Sequence, residues 1–384
     1  MKTWRAAVVG TGFIGPVHVE GLRRAGVDVL GVLGSSLAKS EAAAGRMGIP
    51  RAYGSYSELL QDADIDVVHL TTPNRHHHAE VIAALEAKKH VLCEKPLAMN
   101  ARESADLVAR AAASDRVCGV NYNVRFYPLC HEARERVRQQ LTGPIFHVTG
   151  AYVQDWLLYD TDFNWRVLAD EGGSLRAIAD IGTHWLDLIQ FVLDRPVVAV
   201  CADLLTVHPV RQAPIGGRET FTTSASPAVT QSVPIGTEDY GTILLEFAGG
   251  TRGAVSVSQV TAGRKNCLRY EIAGQQEALA WDSERPNELW IGRRDAANSL
   301  FLRDPGLMQP AAAAVSSYPG GHNEGFPDTF KQLFLAYYGY LSRGSFAAPR
   351  PFPTFEDGHR EILLCEAILA SHRERRWVRI DEVE

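Results

Sequence analysis

The fold of the amino-terminal part is decided by the stretch Ala6-Ala-Val-Val-Gly10-Thr-Gly12-Phe-Ile-Gly15. An apolar run of the kind that forms a buried strand leads into three glycines, and a helical pattern follows. In a dinucleotide-binding turn the first glycine allows the tight turn and the second lets the backbone approach a pyrophosphate. The third glycine lets the helix pack closely on the strand. Phosphates bind at the helix N-terminus, where N–H groups and the helix dipole favour negative charge. The stretch therefore predicts a dinucleotide-binding strand–turn–helix.

Composition excludes several classes of protein. The chain has 384 residues, enough for two domains, and its formal net charge of −6 argues against a nucleic-acid-binding protein. No apolar run approaches the roughly 20 residues of a membrane span, and no secretory leader pattern stands at the start. The six cysteines have no close pair, so neither a disulfide scaffold nor a zinc knuckle is expected. We expect a cytoplasmic protein that does not bind nucleic acid or membranes.

The first 123 residues alternate short apolar runs with helical patterns. Such alternation predicts crossover units and a parallel sheet with both faces covered. The expected strands are 6–9, 29–33, 67–71, 90–93 and 117–121, and the expected helices are 14–24, 38–47, 79–87 and 101–113. We assign residues 1–123 to a Rossmann-type NAD(P)-binding domain.

After Asn123 the pattern changes to longer strand-like segments separated by turns, which predicts a mostly antiparallel sheet. The expected strands are 146–153, 197–205, 241–247, 251–260, 268–272 and 289–291, with helices at 128–141, 174–193, 327–341 and 355–374. Residues 208–237 are rich in Pro, Gly, Ser and Thr and are expected to form a long loop or lid. We assign residues 124–384 to a substrate-binding and oligomerisation α/β domain with an open sheet.

The end of the second strand bears on the choice of cofactor. An NAD-specific site places Asp or Glu there to bind the ribose 2′-hydroxyl. This chain has Leu33-Gly-Ser35-Ser36 instead, and Lys39 follows. Without a carboxylate nothing repels a 2′-phosphate, which favours NADP, although serine can equally serve the ribose hydroxyl of NAD.

Two loops follow the third and fourth strands, at the edge of the sheet where this fold binds ligands. The first is Thr71-Thr-Pro-Asn-Arg-His-His77 and the second is Cys93-Glu-Lys-Pro96. A lysine on a loop is usually a solvated charge. Lys95, however, directly follows a buried strand and precedes a proline that restricts the backbone, so we expect it to face the ligand crevice.

The helical stretch after Gly172-Gly173 carries Asp180 and His184, four residues apart and therefore on one helix face. Such a pair is often a surface ion pair. The apolar residues around it, among them Ile181 and Trp185, make a solvated helix an unlikely setting. We therefore expect the two side chains to face a cleft.

A group of polar and aromatic residues could bind a substrate with several hydroxyls, or could belong to a domain junction. Its members are Tyr122, Asn123, Arg125, Tyr127, Tyr152, Gln154, Asp155, Trp156, Asn164, Trp165 and Arg166. Among them, Asn123, Arg125, Trp165 and Arg166 are our candidate substrate ligands. The consecutive histidines 76–78 diverge around a helix start and cannot share a metal, so no metal site is expected.

The glycine turn, the Thr-Pro-Asn-x-x-His loop, the Glu-Lys-Pro loop and the Asp/His helix together resemble the glucose–fructose oxidoreductase, inositol dehydrogenase and rhizopine-catabolism (Gfo/Idh/MocA) family. The diagnostic motifs lie in the first half of the chain. The resemblance implies a Rossmann domain followed by an α/β domain whose open sheet serves oligomer contacts, and hence a homo-oligomer, a dimer or tetramer.

The resemblance also implies roles for individual residues. The catalytic lysine of the family falls on Lys95, and its Asp and His fall on Asp180 and His184. The residues implied to bind the cofactor are Gly10, Gly12, Phe13, Ile14, Gly15, Ser35, Ser36, Thr72, Pro73, Asn74, His77, Glu94 and Lys95.

These roles predict hydride transfer between nicotinamide and a CH–OH group of a sugar, sugar derivative or cyclic polyol. Histidine, with an ordinary pKa of about 6.5, can take or return the hydroxyl proton. Lys95 would stabilise the alkoxide, and Asp180 would orient the imidazole or bind a neighbouring hydroxyl. The mechanism requires Lys95 and His184, from different domains, to converge on one hydroxyl.

Two alternatives stay open. The first is a non-catalytic dinucleotide-binding sugar sensor or regulator of the same fold, since the family includes a sugar-response repressor of yeast. A binding module has no need of Lys95, Asp180 and His184 together. The second is an enzyme for another substrate class, such as a biliverdin-type reductase, which the polar–aromatic group disfavours.

Overall fold

The chain, described here from a computed structural model over residues 3–215 and 229–383, divides into two compact units. The first contains the residues up to Asn123 together with residues 327–362. The second contains the described residues from Val124 to Phe326 and those from Leu363 onward. Sequence analysis assigned everything after residue 123 to one second domain, whereas residues 327–362 return to the first unit.

A six-stranded parallel sheet forms the centre of the first unit within the described residues, in the order β3-β2-β1-β4-β5-β6. Its strands are β1 (Arg5–Val9), β2 (Asp28–Leu33), β3 (Arg51–Tyr53), β4 (Val67–Leu70), β5 (His90–Cys93) and β6 (Cys118–Val120). The strands are almost wholly buried because helices cover both faces of such a sheet. The strand order reverses between β1 and β4, the position where doubly wound sheets bind ligands.

The helices of this unit follow the strands in alternation. They are α1 (Ile14–Arg24), α2 (Leu37–Met47), α3 (Tyr56–Gln61), α4 (Asn74–Glu86) and α5 (Ala101–Ala113). Helix α4 begins at Asn74 rather than at the expected residue 79, because Pro73 sets an extended backbone at the N-cap. The short β3 and α3 were not predicted.

A nine-stranded sheet forms the described part of the second unit, in the order β16-β15-β14-β13-β7-β12-β11-β8-β17. Neighbouring strands are antiparallel except for the parallel pair β7 and β12. The strands are β7 (Ile145–Val153), β8 (Val197–Leu205), β11 (Tyr240–Phe247), β12 (Arg252–Ser258), β13 (Cys267–Gly274), β14 (Ala278–Asp282), β15 (Glu288–Gly292), β16 (Ser299–Leu302) and β17 (Val378–Arg379). The expectation of a mostly antiparallel second sheet is confirmed.

The expected loop 208–237 contains a two-stranded antiparallel ribbon, β9 (Val210–Pro214) and β10 (Thr230–Pro234), so it is not wholly irregular. The ribbon is anchored because Arg211 is fully buried and its guanidinium donates to Asp239 Oδ1 at 2.6 Å. The part of the prediction that covers residues 216–228 lies outside the described residues.

The remaining helices belong to both units. They are α6 (Pro128–Arg138), α7 (Ala169–Gly172), α8 (Thr183–Leu193), α9 (Pro310–Ala313), α10 (Phe326–Ser342) and α11 (Phe355–Glu374). Helix α10 and the first part of α11 lie in the first unit, and the others lie in the second. Helix α8 buries Trp185, Leu188 and Ile189 in the core that also contains Val148 and Leu245 of the sheet. In the described part of the chain, no helix is long and apolar enough to cross a membrane.

Helix α10 explains why residues 327–362 belong to the first unit. Tyr337 is fully buried, and its hydroxyl donates to the backbone oxygens of Val91 at 3.1 Å and Val117 at 2.9 Å. Phe334 of the same helix packs at 5.0 Å, between ring centroids, from His69 of β4. These contacts join a late segment of the chain to the parallel sheet, and no local sequence pattern encodes them.

Candidate functional site

The glycine turn after β1 has the geometry that its spacing predicts. Gly10 has φ of 109°, a conformation that only glycine adopts without strain, and a Cβ there would lie 2.5 Å from Thr71 Oγ1. A Cβ on Gly15 would lie 2.3 Å from the Gly10 oxygen. The first and third glycines are therefore required by the packing of the protein itself.

Gly12 differs from its neighbours, because a Cβ built on it would meet no atom within 4 Å. Protein packing therefore does not account for a glycine here. Helix α1 begins at Ile14, and the first N–H groups of a helix have no intrahelical partner. Phe13, at the N-cap position, is 50% exposed and its side chain has no hydrogen-bonding atom. The open side of Gly12 beside a helix N-terminus fits a pyrophosphate.

Two serines and a lysine lie at the carboxyl end of β2, where the adenosine ribose is expected. Ser36 caps α2 by accepting a hydrogen bond from the Lys39 backbone N–H at 3.3 Å. Lys39 Nζ donates to Ser35 Oγ at 3.1 Å. The end of this strand thus carries two hydroxyls and an ammonium group, and no carboxylate among residues 33–40.

The Thr72-Pro73-Asn74 loop is tied to the neighbouring loop by His77. This histidine is fully buried, with Nδ1 2.8 Å from the Pro96 oxygen and Nε2 3.0 Å from the Thr72 oxygen. Burial lowers the pKa of His77, and the two carbonyls oppose that shift. Sequence analysis placed His77 against the cofactor. The structure shows that it joins the two loops, and its contact with the cofactor stays a prediction.

Glu94 is buried beside Lys95 and is held by three donors. Its Oε1 lies 3.0 Å from His18 Nε2 and also accepts from Asn121 Nδ2, while Oε2 accepts from the Lys95 backbone N–H at 3.1 Å. Burial opposes the charge of the carboxylate, but the His18 contact, the Lys95 charge and Asn121 outweigh it. Together they lower the pKa of Glu94 to about 2. An ionised Glu94 therefore orients the peptide that carries the partly exposed Lys95.

In the second unit, Asp180 and His184 lie on a widened helical turn. Residues Ile178–Gly182 form a π-helical turn that leads into α8, and the Thr183 N–H donates to the Ile178 oxygen five residues earlier. Sequence analysis had assumed an ordinary helix here. Single π turns within helices are frequent at functional sites.

The Asp180 carboxylate is fixed by donors on both oxygens. Arg166 Nε donates to Oδ1 at 3.2 Å and Gln259 Nε2 donates to Oδ2 at 2.8 Å. The guanidinium of Arg166 also stacks on the ring of Trp165 at 4.4 Å from its centroid. Arg166 and Trp165, two candidate substrate ligands, thus lie together beside Asp180.

Gln259 was missed by sequence analysis. It is fully buried directly after β12, and its Oε1 accepts from Arg176 Nη1 at 3.3 Å, which leaves Nε2 to face Asp180. A single buried glutamine at the end of a strand has no local signature. Its role emerges only from contacts with residues about 80 positions away along the chain.

His184 is 8% exposed, and its ring centroid lies 6.3 Å from that of Tyr152. The Tyr152 hydroxyl donates to Asn266 Oδ1 at 2.8 Å, and burial raises the pKa of Tyr152. Gln154 donates to the same oxygen at 2.7 Å. Tyr152 and Gln154 of the expected polar–aromatic group are therefore joined through Asn266 on the unit that carries His184.

Two other candidate substrate ligands are taken up by internal contacts. Arg125 Nε donates to Asp187 Oδ2 at 2.7 Å and a second nitrogen binds Oδ1, which forms a two-pronged ion pair. Asn123 is 2% exposed and donates to Thr329 Oγ1 at 2.7 Å. The structure thus gives both side chains packing contacts, and their contact with a substrate stays a prediction.

One group within the described residues has the reach to bind a metal ion: Cys267, Asp282 and Glu284. Burial, followed by the charge of Asp282, raises the pKa of the Cys267 thiol to about 11, and Glu284 is paired with Arg264 at 2.5 Å. A protonated thiol and an occupied carboxylate make a poor metal site.

Two family models match the chain. Residues 4–122 match the "Oxidoreductase family, NAD-binding Rossmann fold" and residues 130–280 match the "GFO/IDH/MocA C-terminal domain". Together these matches span both halves of the fold, and the first includes the glycine turn and Lys95.

One curated relative and two solved structures are similar over most or nearly all of the chain. Levoglucosan dehydrogenase of Pseudarthrobacter phenanthrenivorans is 29% identical over 349 residues, 89% of this chain and 86% of its own. A structure of levoglucosan dehydrogenase with NADH and L-sorbose is 25% identical, with a TM-score of 0.87 over 99% of each chain. An inositol dehydrogenase homologue from Azotobacter vinelandii in complex with NAD⁺ is 26% identical, with a TM-score of 0.86 over 98% of this chain and 97% of its own.

The parallel sheet with its glycine turn, the mixed second sheet and the matches to both halves agree, and the chain belongs to the Gfo/Idh/MocA family of oxidoreductases.

Proposed function

We propose that this oxidoreductase transfers a hydride between a nicotinamide cofactor and a CH–OH group of a sugar, sugar derivative or cyclic polyol. The observation that carries the proposal is the position of Lys95. It directly follows β5 at the carboxyl edge of the sheet that holds the glycine turn, on a loop oriented by the ionised Glu94. A cation at this edge is suited to stabilise an alkoxide beside a bound nicotinamide.

The bound nicotinamide supplies the hydride acceptor or donor. Lys95 lowers the energy of the oxygen anion that forms as the hydroxyl proton leaves. His184 accepts that proton in oxidation and returns it in reduction. Asp180, held by Arg166 and Gln259, binds a neighbouring hydroxyl or orients the imidazole. The proposal requires Lys95 and His184 to reach the same hydroxyl.

For the cofactor we propose a preference for NADP over NAD. The support is local: Ser35, Ser36 and Lys39 occupy the end of β2, and the Lys39 ammonium contacts Ser35. A 2′-phosphate would find a cation and hydroxyl donors there, and the adenosine ribose would find no carboxylate. NAD is the competing cofactor, because the related structures are complexes with NADH or NAD⁺.

For the substrate we propose a hydroxylated ring. Trp165 and Arg166 beside Asp180 offer an aromatic face, hydrogen-bond donors and an acceptor, which is what a polyhydroxylated ring requires. Two relatives, levoglucosan dehydrogenase and 1,5-anhydro-D-fructose reductase, are named after ring-shaped sugar derivatives, which supports this proposal. Trans-1,2-dihydrobenzene-1,2-diol dehydrogenase extends the range to a cyclic diol.

We also propose that the chain forms homo-oligomers through the open face of its nine-stranded sheet. Strand register places Thr149, Glu271, Ala280, Trp290 and Leu300 in one outward row across five strands. Leu300 is 54% exposed, and Trp290 next to it is half-buried. Light scattering coupled to size exclusion should give a dimer or tetramer, and Trp290→Glu should shift it to the monomer. A monomeric native chain would refute this part.

The function is tested by following the absorbance of reduced nicotinamide. The chain is mixed with NADP⁺ or NAD⁺ and a panel of levoglucosan, inositols, aldoses and a cyclic diol, and the reverse reaction is tried with the matching ketones. We expect turnover with at least one ring-shaped alcohol, and loss of about 100-fold or more in Lys95→Ala with cofactor binding retained. Tight cofactor binding without turnover on any member of the panel would favour the sensor alternative.

A further inference from the structure

A continuous chain of buried hydrogen bonds crosses the first unit and ends on the Glu94 carboxylate. The Tyr338 hydroxyl lies 2.8 Å from His69 Nε2, and His69 Nδ1 lies 2.9 Å from His18 Nδ1. His18 Nε2 in turn lies 3.0 Å from Glu94 Oε1. Both histidines are fully buried and Tyr338 is 4% exposed. The four residues come from α10, β4, α1 and the loop after β5, so the chain depends on the tertiary fold.

The proton positions along this series of hydrogen bonds can be assigned by starting from the Glu94 carboxylate. Because Glu94 is ionised, the facing His18 Nε2 must carry a proton. Burial lowers the pKa of His69 well below its ordinary value, so His69 has a single N–H. When His18 is neutral its Nδ1 is an acceptor, so His69 must protonate Nδ1. His69 Nε2 then accepts from the Tyr338 hydroxyl. Every donor in this series of hydrogen bonds then faces an acceptor.

We propose that Tyr338, His69 and His18 are positioning residues that fix the His18 tautomer and thereby hold Glu94, and with it the Lys95 loop, in its working orientation. Tyr338 selects the Nδ1–H tautomer of His69, and His69 selects the Nε2–H tautomer of His18. His18 and Asn121 then bind Glu94 Oε1, while Oε2 accepts from the Lys95 N–H. The inference rests on the proposed function for its effect on turnover, but not for its tautomers.

Few other charged groups lie around the hydrogen-bonded series from Tyr338 to Glu94. His18 also faces the rings of Phe330 and Phe334 at centroid distances of 5.6 and 5.1 Å. The charged group of Lys95 acts on Glu94, and that of Asp66 acts on Tyr338. The polar chain therefore runs through an aromatic setting, where a wrong tautomer would leave two lone pairs or two N–H groups facing each other.

Substitutions at His18 separate positioning from packing. A glutamine places an amide nitrogen near the position of His18 Nε2 and has no tautomers, so His18→Gln should keep turnover within about 3-fold of native. Asparagine places its amide near Nδ1 and loses Glu94, so His18→Asn should lower turnover by about 10- to 100-fold. The dissociation constant of the cofactor should change less than turnover in both variants. Equal losses in the two would refute the assignment.

A double-mutant cycle then tests the role of Tyr338. Tyr338→Phe should lower turnover several-fold in the native background and leave it unchanged in the His18→Gln background, because glutamine needs no tautomer selection. Tyr340→Phe is the matched control, since Tyr340 is a buried tyrosine of α10 whose hydroxyl donates to the backbone oxygens of Phe346 and Ala348. If Tyr338→Phe costs the same in both backgrounds, its role is packing and the proposal is wrong.

The tautomers can be read without any substrate. Nitrogen NMR of the isotope-labelled chain at about pH 8.5, where ordinary imidazoles are neutral, should report Nδ1–H for His69 and Nε2–H for His18. In Tyr338→Phe the His69 signal should lose this single form, and in Tyr340→Phe it should keep it. An Nε2–H tautomer of His69 in the native chain would overturn the proposal. Absence of turnover with those tautomers in place would instead count against the proposed function.

Discussion

Ser36 combines two tasks at the scale of a single side chain. It caps α2 through its hydroxyl, and it lies at the end of β2, where the ribose of the cofactor is expected. An aspartate can replace serine as an N-cap without loss. Its negative charge would bind the 2′-hydroxyl of NAD and repel the 2′-phosphate of NADP.

We therefore expect Ser36→Asp to shift the ratio of kcat/KM values toward NAD by at least about 10-fold, since like charges at short range cost a kcal/mol or more. Ser55→Asp is the control, because Ser55 caps α3 in the same way by accepting from the Glu58 N–H at 3.2 Å. That variant should leave the ratio unchanged. An unchanged or larger NADP preference in Ser36→Asp would place the ribose elsewhere.

Glu80, which accepts a hydrogen bond from Thr72, makes the stability of the fold depend on pH. Burial raises the pKa of Glu80 to about 7, and the hydrogen bond from the Thr72 hydroxyl, 2.6 Å from Oε2, only partly opposes this. The folded chain therefore binds more protons than the unfolded chain between about pH 4.5 and about pH 7. Its stability falls as pH rises through that window, and the contribution of Glu80 is fully present below it.

Glu80→Gln should remove the loss of stability that ionisation of the buried carboxylate causes, and should therefore raise the melting temperature relative to native more at pH 8 than at pH 5. Glu86→Gln, at an exposed position on the same helix, serves as the control and should leave the melting temperature unchanged at both pH values. Scanning calorimetry at the two pH values is the measurement. Equal shifts at both would mean that Glu80 does not titrate between these pH values, and would contradict the prediction.

The role of a residue can be predicted from the sequence only when its contact partners lie close to it along the chain. Lys95 and His184 could be proposed because each follows a short local pattern. The ion pair of Arg125 could not be predicted because its partner, Asp187, lies 62 positions later. The burial of His77 could not be predicted because it depends on the loop at Pro96.

At the scale of the element, the glycine turn and α1 act as one piece. Gly10 and Gly15 are needed for the turn to pack against Thr71 and against itself, whereas Gly12 meets open space. The three glycines of one motif thus divide into two that the packing of the turn requires and one that it does not, for which we propose a role in cofactor binding.

Gly12→Ala should leave the melting temperature within about 1 °C of native and weaken dinucleotide binding by about 10-fold or more, because the added methyl group occupies the approach of the pyrophosphate. Gly15→Ala should lower the free energy of unfolding by about 1–3 kcal/mol through overpacking. Calorimetry and cofactor titration separate the two effects. A stability loss in Gly12→Ala equal to that in Gly15→Ala would contradict this division.

Long elements with strong periodicity were predicted closely, and irregular ones were not. Helix α11 and strand β8 begin and end where expected. The π turn at Ile178–Gly182 was read as ordinary helix, because apolar spacing alone does not record an extra residue in a turn. The ribbon within residues 208–237 was read as loop, because its order comes from the buried Arg211.

At the scale of the whole molecule, the second unit is organised around a buried ion network. Asp239 is fully buried, and its Oδ1 accepts from both Arg176 and Arg211, while Oδ2 accepts from the Val207 N–H at 2.7 Å. Arg176 continues to Gln259 and so to Asp180. The network joins the ribbon, the π turn and the end of β12.

Asp239→Asn leaves two buried guanidinium groups without their anion and should lower the free energy of unfolding by about 3–5 kcal/mol. Asp203→Asn is the matched control, since Asp203 also binds an arginine, Arg375, but its side chain is 74% exposed. Exposed pairs contribute about 0–1 kcal/mol. Denaturant unfolding of both variants is the measurement, and similar losses would mean that burial does not decide the cost.

The central claim is that Lys95 and His184 act as one unit on a single hydroxyl. The most direct test is a double-mutant cycle on kcat/KM with Lys95→Met, His184→Gln and the double variant, with cofactor binding measured in each. We predict losses of about 100-fold or more in each single variant, and a double variant no worse than about 10-fold below the weaker single one. Losses that multiply, or native turnover in either single variant, would contradict the claim.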